Sequence, residues 1–397
     1  MKKSIGLFLG ITTGIVFVNS AEAINLSNNS LLNYTFEDVT ATDDYFYTPY
    51  QEQNISSSQS VTATLKPLLT TFGNPADYVV NTPLFDAVAD LRLSLNSGGF
   101  ARCTGSLIGS DFLLTAAHCL TDLNGTPSVN GVQATFGNGE VLTGQSTFLA
   151  PFWTGNLLQG GDLAIIRTTT SALNLTPYEI FTDNPATLFN QAVDKVGVGR
   201  AGNGNQGSVL NSGTKRSGQN SYDAFGDLLL TALNAPFSFV SNSQLQYDFD
   251  NGNSANDAFG FFSRNNLGLG NNEVSAAPGD SGGPTFTPDG KIMGVTSYGL
   301  RLSSSDIDNI LNSSFGEIAG DANVSLYTPW IQAVLNNDLG NFDTNNFGNN
   351  LTVISPPPEP NNNINSPNPQ DPISVPEPHS ILSIILTGFS LFISRKK

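Results

Sequence analysis

The chain has 397 residues, with 16 basic and 33 acidic side chains and a formal net charge of −17. That balance excludes a nucleic-acid binder, which needs a basic face. Charged residues make up 12 %, about half the ordinary share of roughly 25 %, and Asn, Ser, Thr and Gly take their place, as suits a β-rich protein with many turns.

The first 23 residues read as an export signal. Lys2 and Lys3 start it, Ile5 to Val18 is apolar, and Ala21-Glu22-Ala23 has the small-x-small form that a signal peptidase cuts. The apolar stretch is short for a membrane span. Export to an oxidising compartment permits a disulfide between the only two cysteines, Cys103 and Cys119. Residues 24–78 are polar, with Asn, Ser and Thr runs. They read as a pro-segment or disordered leader that carries no chemistry.

Chemistry begins at Leu114-Thr115-Ala116-Ala117-His118-Cys119, continues at Gly161-Asp162-Leu163-Ala164-Ile165-Ile166, and ends at Gly279-Asp280-Ser281-Gly282-Gly283-Pro284. The last segment places a serine in a glycine-rich turn, where successive N–H groups can converge beside the hydroxyl. A nucleophile and donors for an oxyanion are what acyl transfer requires. His118 is the only histidine outside the C-terminal tail, which holds His379. Its ordinary pKa near 6.5 suits a base that takes a proton and returns it.

At these residues the chain resembles the chymotrypsin/trypsin family of serine endopeptidases, which also runs His, Asp, Ser. The similarity extends from about Val79 to Leu335 and includes Cys103-Thr104-Gly105-Ser106, Val196-Gly197-Val198-Gly199, Ser297-Tyr298-Gly299 and Tyr327-Thr328-Pro329-Trp330. It implies an all-β protein of two packed six-stranded antiparallel barrels with a short C-terminal helix, over residues 79–338. It also implies a catalytic triad of His118, Asp162 and Ser281, an oxyanion hole from the N–H groups of Gly279 and Ser281, and a Cys103–Cys119 bridge. Ser275, Ser297 and Gly299 fall on its specificity pocket. A neutral Ser275 at the pocket base favours apolar or small side chains over basic ones. Asp280 needs a partner when buried. By resemblance this is a new amine made by cleavage, and Val79 is the candidate start. The alternative is an internal partner such as an arginine, with no activation step.

Two further segments read as ordinary surface. Asp248-Phe249-Asp250-Asn251-Gly252-Asn253 has some calcium-loop spacing but lacks the fifth-position acid and sixth-position glycine. A polar surface turn is the expected reading, and no metal or cofactor is expected. Lys215-Arg216 reads as a solvated loop.

Residues 339–374 form an Asn/Pro-rich linker with Pro356-Pro357-Pro358. Residues 375–397 contain Pro376-Glu377-Pro378, an apolar run from Ile381 to Ile393 and a basic end at Arg395-Lys396-Lys397. This tail resembles the PEP-CTERM sorting signal of Gram-negative bacteria. It implies membrane association through a C-terminal helix, processing by an exosortase, and a place in the cell envelope or outside the cell. The expected function is therefore an exported serine endopeptidase acting on protein or peptide substrates. The alternatives are a non-catalytic binding or matrix module on the same fold, or a tail-sorted structural protein.

Overall fold

The computed structural model describes residues 69–302 and 304–356, and the backbone of residues 23–30 and 33–37. The signal segment up to residue 22, the linker from residue 357 and the sorting motif at Pro376, Glu377 and Pro378 lie outside the described residues. Among the described residues no helix is long and apolar enough to cross a membrane.

Six strands build the first half: β1 Val88–Leu95, β2 Phe100–Gly109, β3 Phe112–Thr115, β4 Val129–Phe136, β5 Val141–Leu149 and β6 Ala164–Thr168. In β4 the buried Val132, Ala134 and Phe136 alternate with exposed Gln133 and Thr135. This period of two marks a strand with one wet face. All four residues of β3 are buried. The ladders close into a barrel in the order β1-β2-β3-β6-β5-β4, so the first half has no free strand edge.

The second half uses β7 Val193–Gly197, β8 Arg216–Asn220, β9 Gln244–Asp248, β10 Pro284–Phe286, β11 Ile292–Leu302 and β12 Glu317–Asn323. Their order is β8-β7-β10-β11-β12-β9. Counted from its own first strand, each half therefore runs 2-1-4-5-6-3. The chain is all-β with two barrels of one topology. They differ at one seam. In place of a β8–β9 ladder, the Asn220 side chain donates to the carbonyls of Asp248 and Val274, each at 2.9 Å.

One apolar cluster runs through both halves. It joins Leu91, Leu107, Leu113 and Ile165 to Val196, Ile292 and Val295. The C-terminal helix Thr328–Leu335 adds Trp330, Ile331 and Val334 to it. The second barrel also holds a buried ion pair. Lys195 Nζ lies 2.7 Å from Asp321 Oδ2, and the hydroxyls of Tyr222 and Thr285 donate to the same oxygen. Losing either charge would strand the other, at a cost of about 3–5 kcal/mol.

Both expected domain limits move outward. Leu69–Thr71 is a buried strand. It runs parallel to Ala201–Asn203 and antiparallel to Val274–Ser275, so the body begins about ten residues before Val79. Upstream, Ala23–Ser30 and Asn33–Glu37 pair as antiparallel strands, and Ala23–Leu26 runs parallel to Gly299–Leu302, inside the stretch expected to be a leader. At the other end Phe342 and Phe347 anchor a stretch that composition assigns to linker. Phe347 is buried, with its ring centroid 6.1 Å from Phe152 and 5.5 Å from Phe342. Val353–Ile354 then pairs with Phe239–Val240.

Cys103 and Cys119 are joined in a disulfide across 16 positions. It ties β2 to the turn that carries His118. Replacing both cysteines by alanine should lower stability by about 3 kcal/mol. In thermal unfolding that corresponds to a midpoint lower by about 6–12 °C.

Candidate active site

His118 lies in the short turn Ala117–Cys119 that follows β3. Asp162 lies two residues before β6, the neighbour of β3 in the barrel. Adjacent strands thus deliver both residues to one place. The His118 backbone N–H donates to Asp162 Oδ1 at 2.9 Å, and His118 Nδ1 is 2.7 Å from Oδ2. Asp162 is 1 % exposed and His118 8 %. A buried carboxylate accepting at Nδ1 places the proton there and turns Nε2 into an acceptor. Ser297, in β11, donates its hydroxyl to Asp162 Oδ2 as well.

Ser281 comes from the second half, in the loop before β10. It is 2 % exposed, and its Oγ makes no hydrogen bond among the described residues. Its carbonyl accepts from the Thr104 N–H of β2 at 2.8 Å and lies 3.7 Å from Cys119 Sγ. The serine is therefore pinned to the strand and the disulfide that also hold His118. Glycines shape this loop at two points. Gly282 has φ +81°, and a Cβ there would fall 2.1 Å from Thr115 Oγ1. Gly279 has φ +96°, and a Cβ there would fall 2.8 Å from Gly199 Cα. An L side chain fits neither position.

The turn also presents free donors. The Pro278 carbonyl accepts from the Arg200 N–H at 2.7 Å, which turns the N–H of Gly279, in the same peptide plane, the opposite way. The Gly279 carbonyl is held by Thr104 Oγ1 at 3.0 Å. Among the described residues neither the Gly279 nor the Ser281 N–H donates a hydrogen bond. Two unspent N–H groups thus belong to the same turn as the Ser281 hydroxyl.

Asp280 is 1 % exposed. It accepts from the Gly199 N–H at 2.7 Å and the Ala277 N–H at 2.9 Å. Burial pushes its carboxyl up to about 7, against the pull of these two N–H groups and the charges of Arg216 and Lys195. Arg216 is not the solvated loop residue expected from the sequence. It is fully buried in β8, where Nε donates to the Pro75 carbonyl at 2.6 Å. Lys215 is also tied down, its Nζ donating to the Phe85 carbonyl at 2.7 Å. Val79 forms an antiparallel bridge with Arg216.

The expected pocket residues divide. Ser275 is buried on the short strand Val274–Ser275, opposite Thr70, whose hydroxyl donates to its carbonyl at 3.1 Å. Gly299 is half-buried, and a Cβ there would make ordinary contact with Leu311 at 3.9 Å and the Ile318 carbonyl at 4.0 Å. Ser297 also reaches the His118–Asp162 pair, donating its hydroxyl to Asp162. Sequence reasoning also missed Thr104 as the residue that fixes the Ser281 turn, and Arg216 as the charge facing Asp280. Neither carries a local motif, since their partners lie 175 positions away in one case and across the barrel in the other.

Among curated proteins no relative matches the chain. Solved structures similar to it include HL collagenase, at 19 % identity and a TM-score of 0.47, covering 65 % of this chain and 97 % of that one. Another is neuropsin, a serine protease expressed in the limbic system of mouse brain, at 17 % identity and 0.46, covering 65 % and 99 %. The family model described as Trypsin matches residues 87–331. That is more than half of the chain, and it spans His118, Asp162 and Ser281: the chain belongs to the trypsin family.

Proposed function

We propose that this protein is a serine endopeptidase of protein or peptide substrates. The observation that carries the reading is the pair of hydrogen bonds, at 2.9 and 2.7 Å, by which Asp162 orients His118 beside a glycine turn bearing Ser281. Ser281 Oγ attacks the peptide carbonyl, and His118 Nε2 takes its proton. Asp162, supported by Ser297, stabilises the imidazolium that forms. The N–H groups of Gly279 and Ser281 receive the oxyanion, each such donor contributing about 3–4 kcal/mol in the transition state. His118 then protonates the leaving amine, and water releases the acyl group by the same steps in reverse.

The protein acts without an activating cut. In this reading Arg216 and the N–H groups of Gly199 and Ala277 give Asp280 what a new amine would give. The segment upstream of Val79 supports the choice. Leu69–Thr71 backs the strand of Ser275, and Pro75 holds Arg216. Export through the signal of residues 1–23 fits the disulfide, and the resemblance of residues 375–397 to a PEP-CTERM tail supports a place in a Gram-negative envelope or exterior, after exosortase processing.

Labelling with a fluorophosphonate, which traps only activated serines, tests the chemistry. The exported chain, uncut between residues 69 and 79, should label, and Ser281→Ala should lose labelling and at least about 10⁴-fold in peptide hydrolysis. Absence of labelling in the wild type would turn the reading to a non-catalytic binding module.

The acid limb of the rate profile tests the Asp280 pairing. A charged Asp280 and a neutral His118 are the working forms, so activity rises with pH as both lose their protons. Arg216→Gln removes a cation that favours ionisation, and should move the acid limb up by about one pH unit. An unmoved limb in a folded variant would show that Arg216 does not hold Asp280.

A further inference from the structure

The β8–β9 seam holds a second cluster of chemistry. Asp248 ends β9, and the loop after it brings Asp250 and Asp257 back toward the strand end. Single ligand oxygens of these three residues all lie within 4.8 Å of one another. The residues are 1 %, 2 % and 3 % exposed, so this is a buried site and not the polar surface turn expected from the sequence. Asp223, 2 % exposed, abuts Asp248 from the segment after β8.

Part of this carboxylate set is satisfied. Asp248 Oδ2 accepts from the Phe259 N–H at 2.9 Å, and Asp257 Oδ1 from the Gly260 N–H at 2.6 Å. The remainder is not. Asp223 Oδ2, Asp248 Oδ1 and Asp250 Oδ1 are buried with no hydrogen-bond partner among the described residues. Orphaned buried oxygens of this kind are rare and costly. The charges that act most on Asp250 are four more carboxylates, Asp248, Glu273, Asp257 and Asp223. Two members of the trio, Asp248 and Asp250, and the adjoining Asp223 therefore each hold a buried oxygen with no donor, among carboxylates that repel one another.

We propose that Asp248, Asp250 and Asp257, flanked by Asp223, bind a calcium ion. An all-oxygen, carboxylate-rich donor set selects a hard cation and disfavours zinc or copper. Burial separates calcium from magnesium, because magnesium keeps several waters, which a site this buried does not favour.

The place of the site gives it a consequence. The cation would join the two strand ends that lack a ladder, and it would anchor the loop of residues 249–273. That loop leads directly to Val274–Ser275, whose Val274 carbonyl shares the Asn220 side chain with Asp248. Calcium would thus order the approach to the candidate pocket. This second statement rests on the peptidase reading, whereas the binding itself does not.

The test uses the full exported chain, stripped with EGTA and titrated with calcium chloride in a calorimeter, with thermal unfolding alongside. One site should fill, and the melting midpoint should rise by about 5 °C or more at saturation. Magnesium should bind at least about tenfold more weakly, given its need for octahedral, water-rich ligation. Asp250→Asn should weaken calcium affinity by about 100-fold or more, and Asp257→Asn gives the same reading should the first variant not fold. Ser281→Ala should bind calcium like the wild type, which separates this site from the peptidase chemistry. Neither heat nor a midpoint shift at about 10 mM calcium, beyond even weak extracellular sites, would overturn the proposal. So would unchanged affinity in a folded Asp250→Asn or Asp257→Asn protein.

Discussion

Burying carboxylates in a protein with few cations constrains everything around them. Asp162, Asp280 and Asp321 are each at most 1 % exposed. A buried carboxylate costs several kcal/mol unless donors surround it, and each of the three draws its donors from distant parts of the chain. Asp162 takes two from His118 and one from Ser297, 135 positions on. Asp280 takes the N–H of Gly199, 81 positions back. Asp321 takes Lys195, Tyr222 and Thr285. Satisfying the three together leaves the two barrels little freedom to shift. The candidate base and nucleophile are held in place as a by-product of solvation.

Local sequence carried much of this outcome and left out a definable part. His118, Cys119, Asp162 and the turn around Ser281 are legible because their chemistry depends on neighbours in the chain: a glycine beside the serine, a half-cystine beside the histidine. The all-β body and the C-terminal helix are legible through the same motifs. Arg216 is not. Beside Lys215 it reads as one of two solvated cations, and the β7–β8 ladder, the Val79 bridge and the Pro75 carbonyl bring it inside. Ser297 reads only as a pocket residue, because strand position does not say that its hydroxyl also reaches Asp162. The domain limits failed for another reason. A few apolar residues, Leu69, Phe342 and Phe347, pull otherwise polar stretches onto the body, and averaged composition hides them.

The segment around Asp248 shows the same limit. Alternating Asp and Asn with a glycine has the composition of an exposed turn, and the ordinary physics of a turn would leave it in water. Burial comes from elsewhere, because the loop through Phe259 folds back over the strand end and Phe259 is itself fully buried. A polar sequence is carried inside by apolar residues about ten positions later. No window centred on the aspartates contains that fact.

The two barrels share one strand order, yet they divide the work through a difference in closure. The first closes by backbone ladders all the way round, and it holds His118 just after β3 and Asp162 just before β6, its neighbour. Their geometry thus depends on a ring with no open seam. The second leaves β8 and β9 unladdered and bridges them with a side chain, Asn220. A seam of that kind admits a long insertion without breaking a ladder, and residues 249–273 occupy it. The inserted loop ends at Ser275, so changes in the loop reach the candidate pocket first. They reach the His118–Asp162 pair last, across the interface fixed by Thr104 and Ser281. The topology therefore sets the long loop beside the candidate pocket and keeps the His118–Asp162 pair on the closed ring.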